Sequence, residues 1–201
     1  MSADAHDPQT LAFYDREAET YAARRLAKSN PRLEAFIGAL PAGAAVLELG
    51  CGGGQDAEVM LAAGLAVTPT DGSPGLARQA ERRLGAPVRL MRFDELDERE
   101  RYDGVWANAC LLHVPTPALP DILARIGRAL RPGGRFAASY KSGAGDGRDE
   151  LGRFYNFPTR ATLEAAYAAA GGWASLDIKE GEGGGYDKVA RTWLFCTAVK
   201  G

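Results

Sequence analysis

The stretch Val46-Leu47-Glu48-Leu49-Gly50-Cys51-Gly52-Gly53-Gly54 decides the fold of this chain. Residues 44–49 form a short, mostly aliphatic run, which is typical of a buried parallel strand. The glycines after it permit a turn too tight for a Cβ atom and let backbone N–H groups approach a ligand. Residues 55–63 then have helical spacing. A strand, a glycine turn and a helix make half of a βαβ unit, in which ligands bind at the carboxyl ends of the strands.

The glycine spacing differs from the common nucleotide-binding motifs. A dinucleotide fingerprint reads G-x-G-x-x-G, whereas residues 50–54 read G-x-G-G-G, and no G-x-x-x-x-G-K-[ST] follows. Glu48 lies inside the end of the strand. An acid at this place would repel a phosphate but suits a ligand that carries an ammonium group.

The motif from Glu48 to Gly54 resembles the first motif of the class I S-adenosylmethionine-dependent methyltransferases. The resemblance covers nearly all of residues 10–199. It implies an α/β fold with a doubly wound, mostly parallel seven-stranded sheet, an antiparallel last strand and helices on both faces. The last two predicted strands, over residues 173–179 and 189–199, are joined by a glycine-rich loop over residues 181–185. A connection without a helix also predicts an antiparallel pair.

Acids at the tips of the next two strands are candidate ligands for an adenosyl group. Asp71 ends the second strand, where a doubly wound fold binds ribose, and its carboxylate could accept from both hydroxyls. Gly72 and Ser73 would then lie beside the ribose and the adenine. The resemblance implies that Asp94 takes the adenine amine and that Phe93 contacts the ring. The alternative is that both acids only cap turns or helices.

The fourth strand leads into residues that the resemblance places beside the methionine moiety. His113 lies in this stretch, and its reference pKa of about 6.5 makes proton acceptance possible; the alternative is a histidine packed in an apolar run. The full cofactor prediction comprises Glu48, Gly50, Cys51, Gly52, Gly54, Asp71, Gly72, Ser73, Phe93, Asp94, Asn108, Ala109, Tyr14 and Arg24.

The acceptor is expected under a lid that follows the fifth strand. Residues 141–147 contain three glycines, and aromatics and arginines come next, a composition that suits a mobile cover. The alternative is a solvated loop that its aromatics anchor. The predicted substrate residues are Tyr21, Lys141, Arg153 and Tyr155, and the cations Lys141, Arg148 and Arg153 indicate an anionic acceptor.

The chain is expected to form one domain over residues 1–201. Residues 1–9 are predicted to be a disordered tail, residues 10–40 a helical cap and residues 44–199 the α/β core. The cap is expected as two helices, over residues 10–28 and 31–40. Its side chains Tyr14, Tyr21, Arg24 and Arg25 could reach the cofactor, and the alternative is that both tyrosines only pack in the core.

Composition excludes several other classes. The 24 Lys and Arg residues nearly balance the 26 Asp and Glu residues, which argues against a nucleic-acid partner held by a broad basic surface. The apolar runs are strand-length, so no membrane partner is expected, and the polar N-terminus predicts a cytoplasmic protein. Three dispersed cysteines predict no metal site. A monomer or homodimer is expected.

The predicted function is direct, in-line methyl transfer from S-adenosylmethionine to a small-molecule acceptor. The stretch 108–111 reads Asn-Ala-Cys-Leu instead of [ND]-P-P-[FYW], which disfavours N-methylation of nucleic acids. Two alternatives are a module that binds S-adenosylmethionine or S-adenosylhomocysteine without turnover, and a nicotinamide-dependent reductase. The reductase is disfavoured by the glycine spacing, by Glu48 and by the lack of a Tyr-x-x-x-Lys pair.

Overall fold

A computed structural model describes residues 5–24, 30–186 and 189–201 of the chain. The helices are α1 (Pro8–Arg16), α2 (Ala18–Ala22), α3 (Pro31–Gly38), α4 (Gln55–Ala62), α5 (Pro74–Leu84), α6 (Leu119–Ala129) and α7 (Arg160–Ala170). The strands are β1 (Ala45–Leu49), β2 (Ala66–Asp71), β3 (Arg89–Leu90), β4 (Tyr102–Ala107), β5 (Leu130–Lys141), β6 (Gly147–Arg148), β7 (Phe154–Tyr155), β8 (Trp173–Gly184) and β9 (Ala190–Lys200).

Seven strands form one sheet in the order β3-β2-β1-β4-β5-β9-β8. The contacts among the first five are parallel, whereas β9 runs antiparallel to both β5 and β8. The predicted fold class is therefore confirmed, including the antiparallel last strand. Strands β6 and β7 form a separate hairpin beside the sheet.

Alternate residues of β1 face opposite sides of the sheet, because successive side chains of a strand point in opposite directions. Leu47 packs in the core on the side of α6 and α7, and Val46 packs with Phe36 of α3 and Met60 of α4. All of β1 beyond its first residue is buried. Burial on both faces explains why the strand reads as an unbroken apolar run with one acid.

The N-terminal cap departs from its prediction in two ways. Residues 5–9 are ordered, not disordered: Asp7 caps α1 by accepting from the Thr10 backbone N–H at 2.8 Å, and Pro8 is its first residue. The predicted single helix over 10–28 breaks at Glu17. Residues 25–28, with Arg25, and the tail residues 1–4 lie outside the described residues.

The two helices on either side of Glu17 contact different parts of the core. Before the break, the Asp15 carboxylate accepts from the Gly75 backbone N–H at 2.6 Å, at the start of α5. After it, Tyr21 lies against Gly52 in the glycine turn, where an added Cβ would be 3.3 Å from the ring. The cap is thus held to two different parts of the core.

Strand β8 continues to Gly184, so the loop expected over 181–185 is mostly strand. Its glycines explain this outcome. A Cβ at Gly183 would lie 2.9 Å from the Trp193 ring, and one at Gly181 would lie 3.2 Å from the Phe195 ring. Because both glycines lack side chains, the aromatic rings of β9 can lie across β8 and hold it in the sheet.

We expect Gly54→Ala to destabilise the fold more than Gly85→Ala does. Both glycines have positive φ, at 80° and 62°, so both substitutions carry backbone strain of about 1–2 kcal/mol. A Cβ at Gly54 would also meet Ala80 of α5 at 3.1 Å, whereas Gly85 has open space. Overpacking adds about 1–3 kcal/mol. Urea unfolding of both variants measures the difference, and equal losses would contradict the packing role of Gly54.

Candidate active site

Two cavities meet over the glycine turn, at the carboxyl ends of the parallel strands. The narrow cavity is lined by the tips of β2 and β3 and by the N-terminal segment 5–11. The wide cavity has a volume of about 580 Å³ and extends from Glu48 to the β8–β9 hairpin. Six residues line both of them: Tyr14, Tyr21, Gly50, Gly52, Ala109 and His113. The two cavities therefore adjoin and share part of their lining, as the narrow and the wide half of the candidate site.

The turn itself requires glycine. Gly50 has φ 62°, and a Cβ on it would lie 2.5 Å from the Cys110 side chain. Gly52 has φ 58° and lies under Tyr21. Bare backbone at both positions keeps the floor of the site open to a ligand. Gly54 lines neither cavity and packs α4 on α5, so the structure does not bring it into the predicted cofactor site.

Asp71 joins the tip of β2 to the glycine turn. Its carboxylate accepts from the backbone N–H groups of Gly52 and Ser73, each at 2.8 Å. Burial raises the pKa of this carboxyl to about 6, against the lowering effect of these N–H groups and that of Gly72. Asp71 also lines the narrow cavity. It therefore orders the turn and still offers lone pairs to a ligand.

Glu48 is a buried acid at the floor of the wide cavity. It is 3% exposed, and its Oε2 atom has no hydrogen-bond partner in the part of the chain that the structure describes. Burial raises the pKa of the carboxyl well above 4.5, and the charges of Asp56 and Asp71 raise it further. Because an unpartnered buried carboxyl is costly, this position suits a cationic ligand group.

The loop after β4 is held in a strained conformation. Ala109 has φ 53°, a left-handed geometry that costs a non-glycine residue about 1–3 kcal/mol. Its N–H donates to Ser139 Oγ at 2.8 Å, and this hydroxyl donates to Asn108 Oδ1 at 2.8 Å. The Asn108 amide donates to Asp56 at 3.1 Å, an acid that Trp106 also contacts at 2.8 Å. Asn108 thus positions the wall shared by both cavities.

His113 lies in a chain of hydrogen bonds between the two halves of the site. Its Nδ1 donates to the Phe154 carbonyl at 2.5 Å, so Nε2 accepts from the Tyr14 hydroxyl at 2.9 Å. Tyr14 in turn accepts from Arg153 at 3.1 Å. Burial lowers the pKa of His113 to about 4, and Arg153 and Lys141 lower it further despite the Phe154 bond. The imidazole is therefore neutral at neutral pH.

The two predicted lid arginines are neutralised within the chain. Arg153 is 1% exposed, and its Nε and Nη2 donate to Asp149 at 2.9 and 2.6 Å. Arg148 pairs with Asp7 at 2.7 Å and lines neither cavity. These two arginines therefore anchor the segment after β5 through ion pairs. Because their charges are already neutralised, they provide little support for an anionic acceptor.

The other predicted residues fall on both sides of the site. The narrow cavity is lined by Gly72, Ser73 and Phe93. The wide cavity is lined by Arg24, Cys51, Lys141 and Tyr155, together with Tyr21, Asn108 and Arg153. Asp94 lines neither cavity, since its carboxylate pairs with Arg92 at 3.3 Å. All four predicted substrate residues are thus brought together.

Sequence reasoning missed the far wall of the wide cavity. Arg32, Tyr186, Trp193 and Phe195 all line it. Trp193 and Phe195 alternate along the last strand, a spacing that places both side chains on one face. That spacing could have identified a common wall, but only the sheet order shows which face the cavity occupies.

The described residues contain neither a metal cluster nor a membrane-spanning helix. Among residues 5–24, 30–186 and 189–201, no group of three or more His, Cys, Asp or Glu side chains is placed to hold a metal ion. No helix in these ranges has the length and apolar character needed to cross a membrane. The three cysteines are buried and unpaired with each other.

The sheet has the order of a Rossmann-like fold, with a glycine turn after its first strand. The carboxylates of Glu48 and Asp71 lie at the tips of the first two strands. These features together are those of a class of proteins that bind an adenosyl ligand. Residues 46–134 match the family described as "Methyltransferase domain". The 1,6-didemethyltoxoflavin-N1-methyltransferase of Burkholderia thailandensis, solved with 1,6-didemethyltoxoflavin and S-adenosylhomocysteine, is 31% identical with a TM-score of 0.68. That match covers 85% of this chain and 77% of the other. The chain belongs to the class I S-adenosylmethionine-dependent methyltransferases.

Curated relatives match a shorter part of the chain. The Ubiquinone biosynthesis O-methyltransferase of Xanthomonas oryzae pv. oryzae is 34% identical over 105 residues, which are 49% of this chain and 43% of that protein. The Trans-aconitate 2-methyltransferase of Methylobacterium nodulans is 37% identical over 101 residues, which are 49% of this chain and 38% of that protein. The chain therefore spans less than half the length of these relatives.

We expect NMR to find His113 neutral down to about pH 5, because its pKa lies near 4. The chain has two histidines, so a His6→Gln variant leaves one imidazole signal to titrate. The unfolded chain, with a histidine pKa of about 6.5, binds more protons in this range, so stability falls as pH drops from 6.5 toward 4. His113→Gln should reduce that loss. A titration midpoint near 6.5 would contradict the buried hydrogen-bond chain.

Proposed function

We propose that this chain transfers a methyl group from S-adenosylmethionine to a small-molecule acceptor. One observation carries the proposal: Glu48, whose Oε2 atom has no hydrogen-bond partner among the described residues, lines the wide cavity beside a glycine turn that also lines the narrow cavity with Asp71. The site thus offers a carboxylate to ligand hydroxyls on one side and an acid to a cationic group on the other.

The residues present fit S-adenosylmethionine. Asp71 would accept from the ribose hydroxyls, and Phe93 and Met91 would contact the adenine from the narrow cavity. Glu48 would face the ammonium group. Arg24, whose guanidinium carbon lies 3.9 Å from the centre of the Tyr21 ring, would pair with the carboxylate of the methionine moiety. When bound, the cofactor supplies a methyl group that its sulfonium activates.

The chain's own contribution is to position the acceptor and exclude water. Tyr14 and Tyr21 lie edge to face, with ring centres 5.2 Å apart, and cover the junction of the two cavities. Orientation of two reactants can supply about 7–11 kcal/mol of a reaction barrier. A methyl acceptor held in the wide cavity, beside Tyr21 and Tyr155, would attack in line across this junction.

Proton removal is a minor part of the proposed mechanism. Nε2 of His113 is the acceptor in the bond with Tyr14, and an acceptor hydroxyl could take the place of the tyrosine. Because burial holds the pKa of the imidazole near 4, His113 is a weak base at neutral pH. It suits an acceptor that is acidic or already deprotonated.

Calorimetry tests the cofactor assignment. We expect the protein to bind S-adenosylmethionine with a low-micromolar or smaller Kd, and Asp71→Ala to weaken this by about tenfold or more, because a charge-assisted pair and the ordered turn are lost. Asp103→Ala is the matched control, since Asp103 pairs with Arg131 near the start of β4. Unchanged affinity in Asp71→Ala would count against the assignment.

Turnover is tested with methyl-labelled cofactor and a panel of thiol, amine, hydroxyl and chalcogen acceptors. Label in any product supports the methyltransferase, and cofactor binding without transfer to any member supports the binding module instead. A competing titration with NADH and NADPH tests the reductase.

The raised pKa of the Glu48 carboxyl predicts that binding of the cofactor releases protons. Burial raises the pKa of this carboxyl in the free chain, and a cationic group beside it would lower that pKa. Affinity should therefore rise with pH. Titrations in buffers of different ionisation enthalpy count the protons, and Glu48→Gln should abolish the release. S-adenosylhomocysteine, which keeps the ammonium but lacks the sulfonium charge, should release the same number. Release with S-adenosylmethionine alone would place Glu48 at the sulfonium instead.

A further inference from the structure

The far side of the wide cavity is an aromatic wall on β9, formed by Trp193 and Phe195. The two ring planes are inclined by only 7°, and their centres are 6.4 Å apart. Gly181 and Gly183 of β8 leave the space that these rings occupy. The wall is therefore broad and apolar, and its shape is set by the paired strands of the sheet.

A guanidinium group covers one end of this wall. The Cζ atom of Arg32 lies 3.5 Å from the centre of the Phe195 ring. A stacked guanidinium has one face covered but keeps its N–H edges free for ligands. Arg32 comes from the first turn of α3, far from β9 in sequence, so this contact exists only in the folded chain.

Arg32 differs from the lid arginines because no acid neutralises it. Among the described residues, no carboxylate of the chain lies within ion-pair distance of Arg32, whereas Arg148 and Arg153 each have one. Burial lowers the pKa of the Arg32 guanidinium, with no acidic group acting in the opposite direction. A partly desolvated cation of this kind is stabilised by an incoming anion.

Lys141 adds a second cation along the same wall. It is 2% exposed at the end of β5, and its Nζ atom lies 4.4 Å from the centre of the Tyr155 ring and 6.0 Å from that of Trp193. Lys141 therefore contacts the aromatic faces of this half of the site, whereas Arg32 is the cation that the proposal below uses. Glu48 and Asp56 line the same cavity from the tip of β1 and the start of α4.

We propose that the methyl acceptor is a planar anion, with its ring against the Trp193 end of the wall and its carboxylate or phosphate group on Arg32, which covers the Phe195 end. This inference rests on the proposed function and narrows its substrate class. The planar fork of arginine matches the oxygens of either anion with two parallel hydrogen bonds. The volume of about 580 Å³ lies within the usual range for small-molecule sites.

Calorimetry on the protein saturated with S-adenosylhomocysteine tests this proposal. Three planar acids are titrated with their neutral counterparts: benzoate with benzamide, 2-naphthoate with 2-naphthamide, and phenyl phosphate with phenol. We expect at least one acid to bind about tenfold or more tightly than its counterpart, the size of one charge-assisted pair. The first two pairs report on a carboxylate and the third on a phosphate.

Single substitutions test whether Arg32 causes the tighter binding of the acid than of its neutral counterpart. Arg32→Met should remove it, and Arg32→Lys should retain only part of it because the fork is lost. Trp193→Leu should weaken the binding of the acid and of its neutral counterpart together, because it removes ring surface but leaves the Phe195 ring on which Arg32 stacks. Arg128→Met is the matched control, since Arg128 is exposed on α6 and lines neither cavity. Arg32 is exposed on α3, and methionine keeps a long apolar side chain against Phe195, so the replacement should change the Tm little.

Two results would overturn the inference: no acid in the panel is preferred to its neutral counterpart, or Arg32→Met keeps the preference of the unaltered protein. Either can occur while S-adenosylhomocysteine binds normally, in which case the proposed methyl transfer still stands. Failure of S-adenosylhomocysteine itself to bind would instead contradict the proposed function.

Discussion

The Asp71 carboxylate, by accepting two backbone N–H groups, is the constraint on which the site depends. Gly52 belongs to the turn after β1, and Ser73 precedes α5, so one side chain ties two neighbouring βα connections together. Gly50 and Gly52 then face both cavities in left-handed conformations that other residues rarely adopt. The link adds a side-chain tie to the backbone bonds of the turn, in which the Cys51 N–H donates to the Thr70 carbonyl at 2.8 Å.

Charge is distributed unevenly around this floor. The acids Glu48 and Asp71 lie at the strand tips, and the cations Arg24, Arg32 and Lys141 lie across the wide cavity. In a region partly removed from water, such groups interact more strongly than at the surface. A ligand with a cationic centre near β1 and anionic groups farther out would match this arrangement.

The N-terminal segment and the residues after β5 close the site together. Asp7 pairs with Arg148, the Phe154 N–H donates to Thr10 Oγ1 at 2.8 Å, and Arg153 donates to Tyr14. These bonds join parts of the chain about 140 positions apart. The expected lid is therefore a cover shared between two segments, and its arginines serve as internal ties.

The sequence by itself determined the doubly wound sheet, its antiparallel last strand, the glycine turn and the acids at the first two strand tips. The last three follow from local spacing: a helix missing between the last strands, glycines where no Cβ fits, and acids at the ends of apolar runs. The doubly wound, mostly parallel sheet followed from the resemblance of residues 48–54 to the class I methyltransferases. Only the tertiary structure decided that Gly54 packs helices, that Asp94 faces Arg92 and that Arg153 is neutralised by Asp149. It also brought Arg32 onto Phe195 across 163 positions of chain. Whether a charge is paired, and which ring it covers, depends on neighbours that are distant in sequence, and local patterns carry no information about them.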